Sequence, residues 1–372
     1  MTQKLICKIP SSSYQYEIEI GSGLLNFQTQ YLSSLASRFA IITDDKIASL
    51  YGKQLQESLA SSDLEVYLFS FPSGEQHKTR ETKELLENQL FEKGLGRDTC
   101  VIALGGGVVT DIAGYVAATY CRGIPLVMIP TSLLGMVDAS IGGKTGVNVP
   151  DGKNMLGCIY QPNKVVIDLS TLKSLPKKEL ANGVVEMIKH GLIADYKLFE
   201  DLERHSQQLL TLDATVLEKM IFDSCRIKKE IVEQDERENG KRRLLNFGHT
   251  IGHAIECLTH YSISHGEAVA IGLLVESYLS VKLGILDQKS LDRIKKILLQ
   301  YGLPLQLPSR FPIQTILDAM ALDKKSLKGQ PRFVMIDAIG SSLAYDSSYC
   351  THVEESLIKN ALHWMNYDLC CH

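Results

Sequence analysis

The sequence lacks the usual signs of a disulfide framework, a nucleic-acid surface and a membrane anchor. Its nine cysteines include no Cys-x-x-Cys pair, and its formal net charge is −4. Scattered cysteines favour reduced thiols over disulfides, and an acidic balance supplies no basic surface. Charged residues interrupt the longest apolar stretches, and the first ten residues contain no apolar core of signal-peptide length. We therefore predict a cytoplasmic protein with neither nucleic acid nor a membrane as partner.

The first part of the chain alternates short apolar runs with a helical pattern at residues 78–93. Strands separated by helices indicate a parallel sheet of the α/β class. Two further segments with alternating apolar and polar residues predict an added hairpin near the start. The predicted strands are residues 39–43, 64–69, 100–104, 125–129 and 165–168, and the hairpin covers residues 4–9 and 14–20.

After about residue 175 the apolar residues recur at helical spacing, and strand-like patches return only at residues 332–336 and 342–345. A chain of 372 residues is long enough for two domains. We predict an α/β domain over residues 1–170 and a mainly α-helical domain over residues 171–372. The predicted helices are residues 177–193, 196–208, 214–234, 247–258, 267–283 and 288–301.

The most informative stretch contains His249 and His253, four residues apart on one face of a predicted helix. His265 follows twelve residues later, and Glu186 lies far upstream. Two or three imidazoles and a carboxylate are the usual ligands of a catalytic zinc with an open position. Spacing alone leaves the alternative of a helix face with two polar residues. Because Thr250 stands where a His-Glu-x-x-His protease has glutamate, a zinc protease has little support.

A glycine-rich turn, residues 105–111, follows the predicted strand 100–104 and opens a helix. Backbone N–H groups at such a turn favour phosphate binding. The turn does not match the dinucleotide fingerprint G-x-G-x-x-G, because Thr110 takes its last position, and a tight turn without a ligand is an equal alternative. Asp44 ends an earlier strand, where it suits either a ribose hydroxyl or a helix N-cap.

Residues 130–154 crowd hydroxyls, glycines, lysines and an amide together without helical or strand periodicity. Such a segment predicts a ligand-holding loop rather than a solvated one. Cations recur through the chain, and their convergence beside a metal would predict a multiply anionic substrate, although each alone is more often a surface charge. These cations are Arg122, Lys144, Lys153, Lys189, Lys228, Arg242 and Arg332.

Taken together, these segments resemble the 3-dehydroquinate synthase family of the sugar phosphate cyclase superfamily. The likeness runs from Asp44 to Gly340, and its most specific stretches are residues 105–111, 117–123, 138–154 and 244–256. The resemblance implies a Rossmann-like NAD-binding domain, then an α-helical metal- and substrate-binding domain, with the active site in their cleft. It also implies a homodimer, with one NAD and one zinc or cobalt ion per subunit.

The resemblance also assigns roles to residues. Glu186, His249 and His265 would bind the metal, and His253 would handle protons beside the substrate. The other catalytic or substrate-contacting residues would be Asp138, Lys144, Lys153, Asn154, Lys189, Lys228, Arg242, Asn246 and Arg332, with Arg122 reaching the neighbouring subunit's phosphate site. The NAD contacts would be Asp44, Ser73, Gly74, Glu75, Gln76, His77, Lys78, Gly106, Gly107, Val108, Val109, Thr110, Asp111, Thr131, Ser132, Lys144, Lys153, Thr171, Leu172, Lys173 and Ser174. Thr110 and Ser132 depart from the family, which has Gly and often Thr there.

The implied reaction converts 3-deoxy-D-arabino-heptulosonate 7-phosphate to 3-dehydroquinate and phosphate. It proceeds by transient NAD-dependent oxidation, phosphate elimination, reduction and intramolecular aldol closure. The nearest alternative is a sedoheptulose 7-phosphate cyclase, which would replace the amide at Asn246 and alter Arg332. A polyol dehydrogenase such as glycerol dehydrogenase would release NADH and would not need Lys144, Lys153, Lys228 and Arg242. A non-catalytic zinc and nucleotide sensor would require that the lysines have no functional role.

Overall fold

A computed structural model describes residues 2–9, 14–26, 29–62, 64–150, 152–260, 262–307, 309–322, 330–345 and 348–369. The chain divides into two compact units, Met1–Leu175 and Pro176–His372. Within the described residues no helix is both long and apolar enough to cross a membrane.

The first unit is built around a parallel sheet, which confirms the α/β prediction. Among the described residues seven strands pair in the order β1-β2-β9-β6-β5-β3-β4, and β1 alone is antiparallel to its neighbour. The strands of this unit are β1 Gln3–Ile9, β2 Tyr14–Gly21, β3 Arg38–Asp44, β4 Glu65–Phe71, β5 Thr99–Gly105, β6 Leu126–Pro130, β7 Lys144–Val149, β8 Gly152–Ile159 and β9 Lys164–Asp168. The helices are α1 Thr29–Ser33, α2 Asp45–Ile47, α3 Lys53–Ala60, α4 Arg80–Glu92 and α5 Gly107–Thr119.

The central strands β5, β6 and β9 are buried along their whole length. Parallel strands covered on both faces are expected to have continuous apolar runs rather than alternation. This explains why these three strands could be predicted from the sequence. The β1–β2 hairpin joins this sheet because β2 runs parallel to β9, from Glu17 beside Lys164 to Gly21 beside Asp168. All parallel strands therefore end at one sheet edge, where β5 leads into the glycine-rich turn.

The prediction of an aperiodic loop over residues 130–154 was wrong in its second half. Strands β7 and β8 form an antiparallel hairpin, with Gly146 directly opposite Gly157. A Cβ on either glycine would overlap the backbone of the facing strand, so this pair lets the two strands approach closely. Because glycine carries no side chain, the pair also removes the alternation that identifies a strand.

The second unit is mainly helical, as predicted. Its helices are α6 Lys177–Ala194, α7 Tyr196–Arg204, α8 Ser206–Leu210, α9 Ala214–Gln234, α10 His249–Leu258, α11 His265–Lys282, α12 Gln288–Gln300, α13 Ile313–Leu322 and α14 Glu355–His363. Two short strands, β10 Ile336–Ala338 and β11 Ser341–Ser342, form a small antiparallel pair. The predicted strand at 332–336 was therefore displaced, since only Phe333 makes an isolated bridge, to Thr351.

Helices α10 and α11 pack unusually closely. Gly248, just before α10, and Gly252 within it face Gly272 of α11. A Cβ on Gly272 would overlap the carbonyl oxygen of Gly248, and one on Gly252 would lie 3.3 Å from the backbone nitrogen of Val269. Small residues at these positions bring the two helices that carry His249 and His265 together.

We expect the Gly272→Ala variant to lower the free energy of unfolding by about 2–3 kcal/mol, because the added methyl group forces the helices apart. Urea unfolding followed by circular dichroism measures this change. Gly21→Ala is the matched control, since its Cβ would meet its nearest atom at an ordinary 3.4 Å, and its effect should stay within about 1 kcal/mol. Equal losses in the two variants would contradict the close-packing explanation.

Candidate functional site

Three side chains from three helices of the second unit converge. Glu186 lies in α6, and His249 and His265 are the first residues of α10 and α11. The Nε2 atoms of His249 and His265 lie 3.6 Å and 3.5 Å from Oε1 of Glu186. Each residue offers a ligand atom within 4.8 Å of those of the other two. We call Glu186, His249 and His265 the metal cluster.

The distances from Glu186 to the two histidines fit a tetrahedral metal ion. Nitrogen and oxygen ligands at about 2.0–2.2 Å from zinc lie about 3.4 Å from one another at tetrahedral angles. The observed 3.5 Å and 3.6 Å are close to this value and longer than ordinary hydrogen bonds. Three protein ligands leave one position for a water or a substrate, which is typical of catalytic rather than structural zinc.

The Nδ1 atoms of the two imidazoles are held by neighbouring groups. Nδ1 of His249 lies 3.1 Å from the carbonyl oxygen of Phe247. Since a carbonyl only accepts, Nδ1 donates to it, and Nε2 is the ring nitrogen directed toward Glu186. Nδ1 of His265 lies 3.4 Å from Oε2 of the buried Glu256, an arrangement common behind metal-binding histidines.

The two carboxylates also decide the charge of His265. Burial lowers the pKa of His265, but Glu256 and Glu186 outweigh burial and raise it to about 10. The two carboxylates therefore favour the protonated form of this imidazole when no cation is bound. A divalent ion would displace this proton, because a ligating imidazole must be neutral.

Two further predicted residues lie next to the metal cluster. Lys189, 1% exposed, pairs through its ammonium group with Oε2 of Glu186. The ring centroid of His253 lies 5.3 Å from that of His249 and 6.4 Å from that of His265. The metal cluster does not include His253, whose imidazole lies beside it.

The remaining predicted cations of the second unit are Lys228, Arg242 and Arg332. Lys228 of α9 and Arg242 are 5% and 2% exposed. Arg242 donates from Nη1 to the carbonyl oxygen of Glu236 at 2.5 Å. Arg332 donates from Nη2 to Oγ of Ser348 at 2.8 Å and to the carbonyl oxygen of Cys350 at 2.7 Å. Asp235 accepts from the backbone N–H of Arg242 at 3.1 Å and places an anion beside this buried cation.

In the first unit the glycine-rich turn joins β5 to α5 as predicted. Gly106 is the N-cap of α5 and supplies no side-chain cap. The first turn therefore keeps backbone N–H groups available for an anion. Thr110 is buried and donates its hydroxyl to the carbonyl oxygen of Gly107 at 3.0 Å. This departure from the family is thus accommodated within the helix.

A polar network surrounds Lys78, which is 4% exposed. Its ammonium group pairs with Asp111 of α5 and donates to Oδ1 of Asn154 at 2.6 Å. Burial raises the pKa of Asp111, and Lys78 acts in the opposite direction. Glu75 Oε1 accepts from Asn148 at 2.8 Å and lies 3.7 Å from Nζ of Lys153. Five predicted ligand-binding residues are thus brought together by β7 and β8: Glu75, Lys78, Asp111, Lys153 and Asn154.

The other predicted residues of the first unit are more dispersed. Asp44 caps α2 by accepting from the N–H groups of Lys46 and Ile47, both at 3.0 Å. Arg122 is exposed, with φ 69° between two other residues of positive φ. Thr131 is buried beside Gly105, and Ser132 accepts from the N–H of Gly135. The remaining predicted positions lie in single turns or at strand ends: Ser73, Gly74, Gln76 and His77 before α4, Asp138 after β6, Lys144 at the start of β7, and Thr171, Leu172, Lys173 and Ser174 after β9.

Three polar residues of the site were not predicted. Glu256 orients His265, Asn148 links Glu75 to the β7–β8 hairpin, and Glu238 accepts from the amide of Asn246. Glu256 follows His253 by three residues on α10, so helical spacing could have identified it. Asn148 of β7 meets a partner 73 positions earlier in the chain, and Glu238 lies outside the helices and strands, so the sequence pattern gives no signal for either contact.

Comparisons with known proteins define the class. A structure of 2-deoxy-scyllo-inosose synthase complexed with carbaglucose-6-phosphate, NAD+ and Co2+ matches with a TM-score of 0.87 and 25% identity, covering 97% of this chain and 99% of the other. ValA, a 2-epi-5-epi-valiolone synthase from Streptomyces hygroscopicus subsp. jinggangensis with NAD+ and Zn2+ bound, matches with a TM-score of 0.85 and 30% identity, covering 94% and 96%. The fold is that of a sugar phosphate cyclase.

The family follows from the sequence matches. Residues 68–182 match the model of the 3-dehydroquinate synthase N-terminal region, and residues 183–326 match that of the C-terminal region. The 3-dehydroquinate synthase of Desulforamulus reducens is 45% identical over 328 residues, covering 87% of this chain and 91% of that protein. The chain belongs to the 3-dehydroquinate synthase family.

We expect His249→Ala to abolish retention of a divalent metal, because it removes one of three ligands. His253→Ala should retain metal but lose turnover, since His253 lies outside the metal cluster. Metal content after gel filtration, measured by elemental analysis, separates the two variants. Equal loss of metal from both would show that the ligand assignment is wrong.

We expect Lys78→Met to lower the free energy of unfolding by about 3 kcal/mol at pH 8, because Asp111 loses its cation while partly buried. The deficit should shrink as pH falls through the raised pKa of Asp111, since a protonated carboxyl needs no partner. Urea unfolding at several pH values measures both effects. The exposed Lys4→Met is the control and should cost less than about 1 kcal/mol. A deficit independent of pH would argue against this role of Lys78.

Proposed function

We propose that this chain uses NAD and one zinc or cobalt ion to convert 3-deoxy-D-arabino-heptulosonate 7-phosphate into 3-dehydroquinate and phosphate. Membership of the family makes the chain a phosphate-eliminating lyase of the shikimate pathway. The observation that supports the metal assignment is the metal cluster, in which both imidazole Nε2 atoms lie at tetrahedral spacing from the Glu186 carboxylate and His253 lies beside them.

When bound, NAD supplies a reversible hydride acceptor, and the divalent ion polarises the alcohol that is oxidised. The metal would be held by Glu186, His249 and His265. Lys189 stabilises the buried Glu186 carboxylate by direct pairing. Glu256 and the Phe247 carbonyl keep the Nε2 atoms of the two histidines directed at the ligand position.

His253 is the residue proposed to move a proton at the substrate C5 oxygen. An imidazole is suited to this task because its ordinary pKa is close to neutrality. Its ring lies edge-on to that of His249, with an interplanar angle of 79°. His253 would therefore transfer the proton beside the three metal ligands without being one of them.

The cationic side chains are proposed to bind the two negatively charged ends of the substrate, its carboxylate and its phosphate. Arg332 has a planar guanidinium, suited to a carboxylate or phosphate, which Ser348 and Cys350 hold from one side. Burial strengthens the attraction of Lys228 and Arg242 for an anion. Fixing both charged ends orients the reacting carbons, which is a large part of the rate enhancement in such reactions. The full proposed set is Asp138, Lys144, Lys153, Asn154, Lys189, Lys228, Arg242, Asn246, His253 and Arg332.

The nucleotide is proposed to bind the first unit. The N-terminus of α5 after Gly106 suits the pyrophosphate, and the predicted contacts at residues 73–78 and 171–174 would surround the rest. Asp44 already accepts two backbone N–H bonds through Oδ1, so a ribose hydroxyl would use this carboxyl while it caps α2. We further propose a homodimer, in which Arg122 contributes to the neighbouring subunit, and a cytoplasmic location.

We expect the purified chain, supplied with NAD and Zn2+ or Co2+, to release phosphate from 3-deoxy-D-arabino-heptulosonate 7-phosphate without accumulation of NADH. A coupled phosphate assay and absorbance at the NADH band measure the two quantities. A chelator should stop phosphate release, and added metal should restore it.

The same assay distinguishes the alternatives. Faster phosphate release from sedoheptulose 7-phosphate would identify a cyclase for the sugar without a carboxylate. One NADH for each substrate consumed would identify a polyol dehydrogenase. Arg332→Ala should lower activity on the keto acid phosphate by about 100-fold, because one charged hydrogen-bonding group is lost.

A further inference from the structure

Helix α10, which begins at His249, lacks an ordinary N-terminal cap. Its N-cap residue, Gly248, has φ 80° and no side chain to accept from the first-turn N–H groups. Helices α9, α11 and α12 of the same unit are preceded by the N-cap residues Asp213, Ser264 and Asp287, whose side chains all accept such bonds. Because uncapped N–H groups are costly when buried, α10 needs an acceptor from elsewhere.

Packing excludes a capping side chain at position 248. A Cβ there would lie 2.8 Å from the backbone nitrogen of Leu273. The neighbouring Gly272 is equally restricted, since its Cβ would overlap the carbonyl oxygen of Gly248. The close contact that brings α10 to α11 therefore also prevents an N-cap residue with a side chain.

Glu276, one turn after Gly272 on α11, supplies the missing acceptors. Its Oε2 accepts from the N–H of Gly248 at 2.9 Å, and its Oε1 accepts from the N–H of Ile251 at 3.4 Å. These are the N-cap and third helical positions, the two donors that a capping box satisfies. Glu276 is 0% exposed, and a carboxylate there also suits the positive end of the helix dipole.

We propose that Glu276 is a positioning residue for the metal ligand His249, acting through the backbone at the start of α10. His249 lies between the two residues whose N–H groups Glu276 binds. Its ring is oriented by the carbonyl of Phe247, immediately before Gly248. Holding this segment fixes the His249 Nε2 atom at 3.6 Å from Glu186. The inference rests on His249 being a metal ligand, as in the proposed function.

The test measures Co2+ binding by the full chain. Glu276→Met keeps the side-chain volume but removes both acceptors. It should raise the Co2+ dissociation constant about 10- to 100-fold and alter the visible spectrum of the bound ion, whose ligand field depends on His249. Glu276→Gln keeps one carbonyl acceptor and should lie between Glu276→Met and the parent chain. Hydrogen exchange of the amides at residues 248–251 should be faster in both variants.

A destabilised variant serves as control. Leu209→Ala creates a cavity in α8, which packs on α7 and α9, and should bind Co2+ like the parent chain at a temperature where circular dichroism shows every variant folded. Co2+ loss in Leu209→Ala equal to that in Glu276→Met would overturn the proposal, since binding would then follow stability alone. Should Glu276→Met not fold, Glu276→Gln decides in the same way.

The outcomes also separate this inference from the metal assignment. If the parent chain binds Co2+ and Glu276→Met binds it within about twofold of the parent, only the role of Glu276 is wrong. If the parent chain and His249→Ala bind Co2+ equally, His249 is not a ligand and both proposals fail.

Discussion

The second unit depends on the burial of one carboxylate. Glu186 is fully buried in α6, and an isolated charge in that position would be strongly unfavourable. Lys189 from the same helix and two imidazoles from α10 and α11 make it tolerable. These partners come from α6, α10 and α11, so the charge of Glu186 is compensated only when the three helices pack together. The glycines that let α10 approach α11 therefore serve the ligand geometry as much as the core.

Most of the fold could be predicted because its central strands are long apolar runs and its helices have clear periodicity. The failures have two causes. Strands β7 and β8 were read as a loop because Gly146 and Gly157, which let them approach, erase the alternating pattern. The strand predicted at 332–336 was placed too early, since its apolar residues are buried but only a short pair forms, starting at Ile336. The pattern of apolar residues indicates which residues are buried, but burial alone does not distinguish a strand from a buried loop.

The candidate site was predictable in its residue types but not in its connections. Spacing groups His249 with His253, and only the family resemblance separates them; in the structure His249 shares a candidate metal site with Glu186 and His265, and His253 lies beside it. Glu276 could not have been identified in advance. It lies 28 positions after Gly248 and acts on backbone groups that any sequence contains. Contacts of this kind depend on which helices meet, and a single sequence does not show that.

The N-terminal hairpin has a consequence for the order of assembly. Strand β2 is made early, yet its parallel partner β9 comes almost at the end of the first unit. A two-stranded hairpin is marginally stable alone in water. During synthesis, β1 and β2 therefore lack the rest of their sheet until the ribosome has made β9. Closure of the sheet against β9 then becomes a late step, and until it happens the nascent chain presents an open edge that invites pairing with other chains.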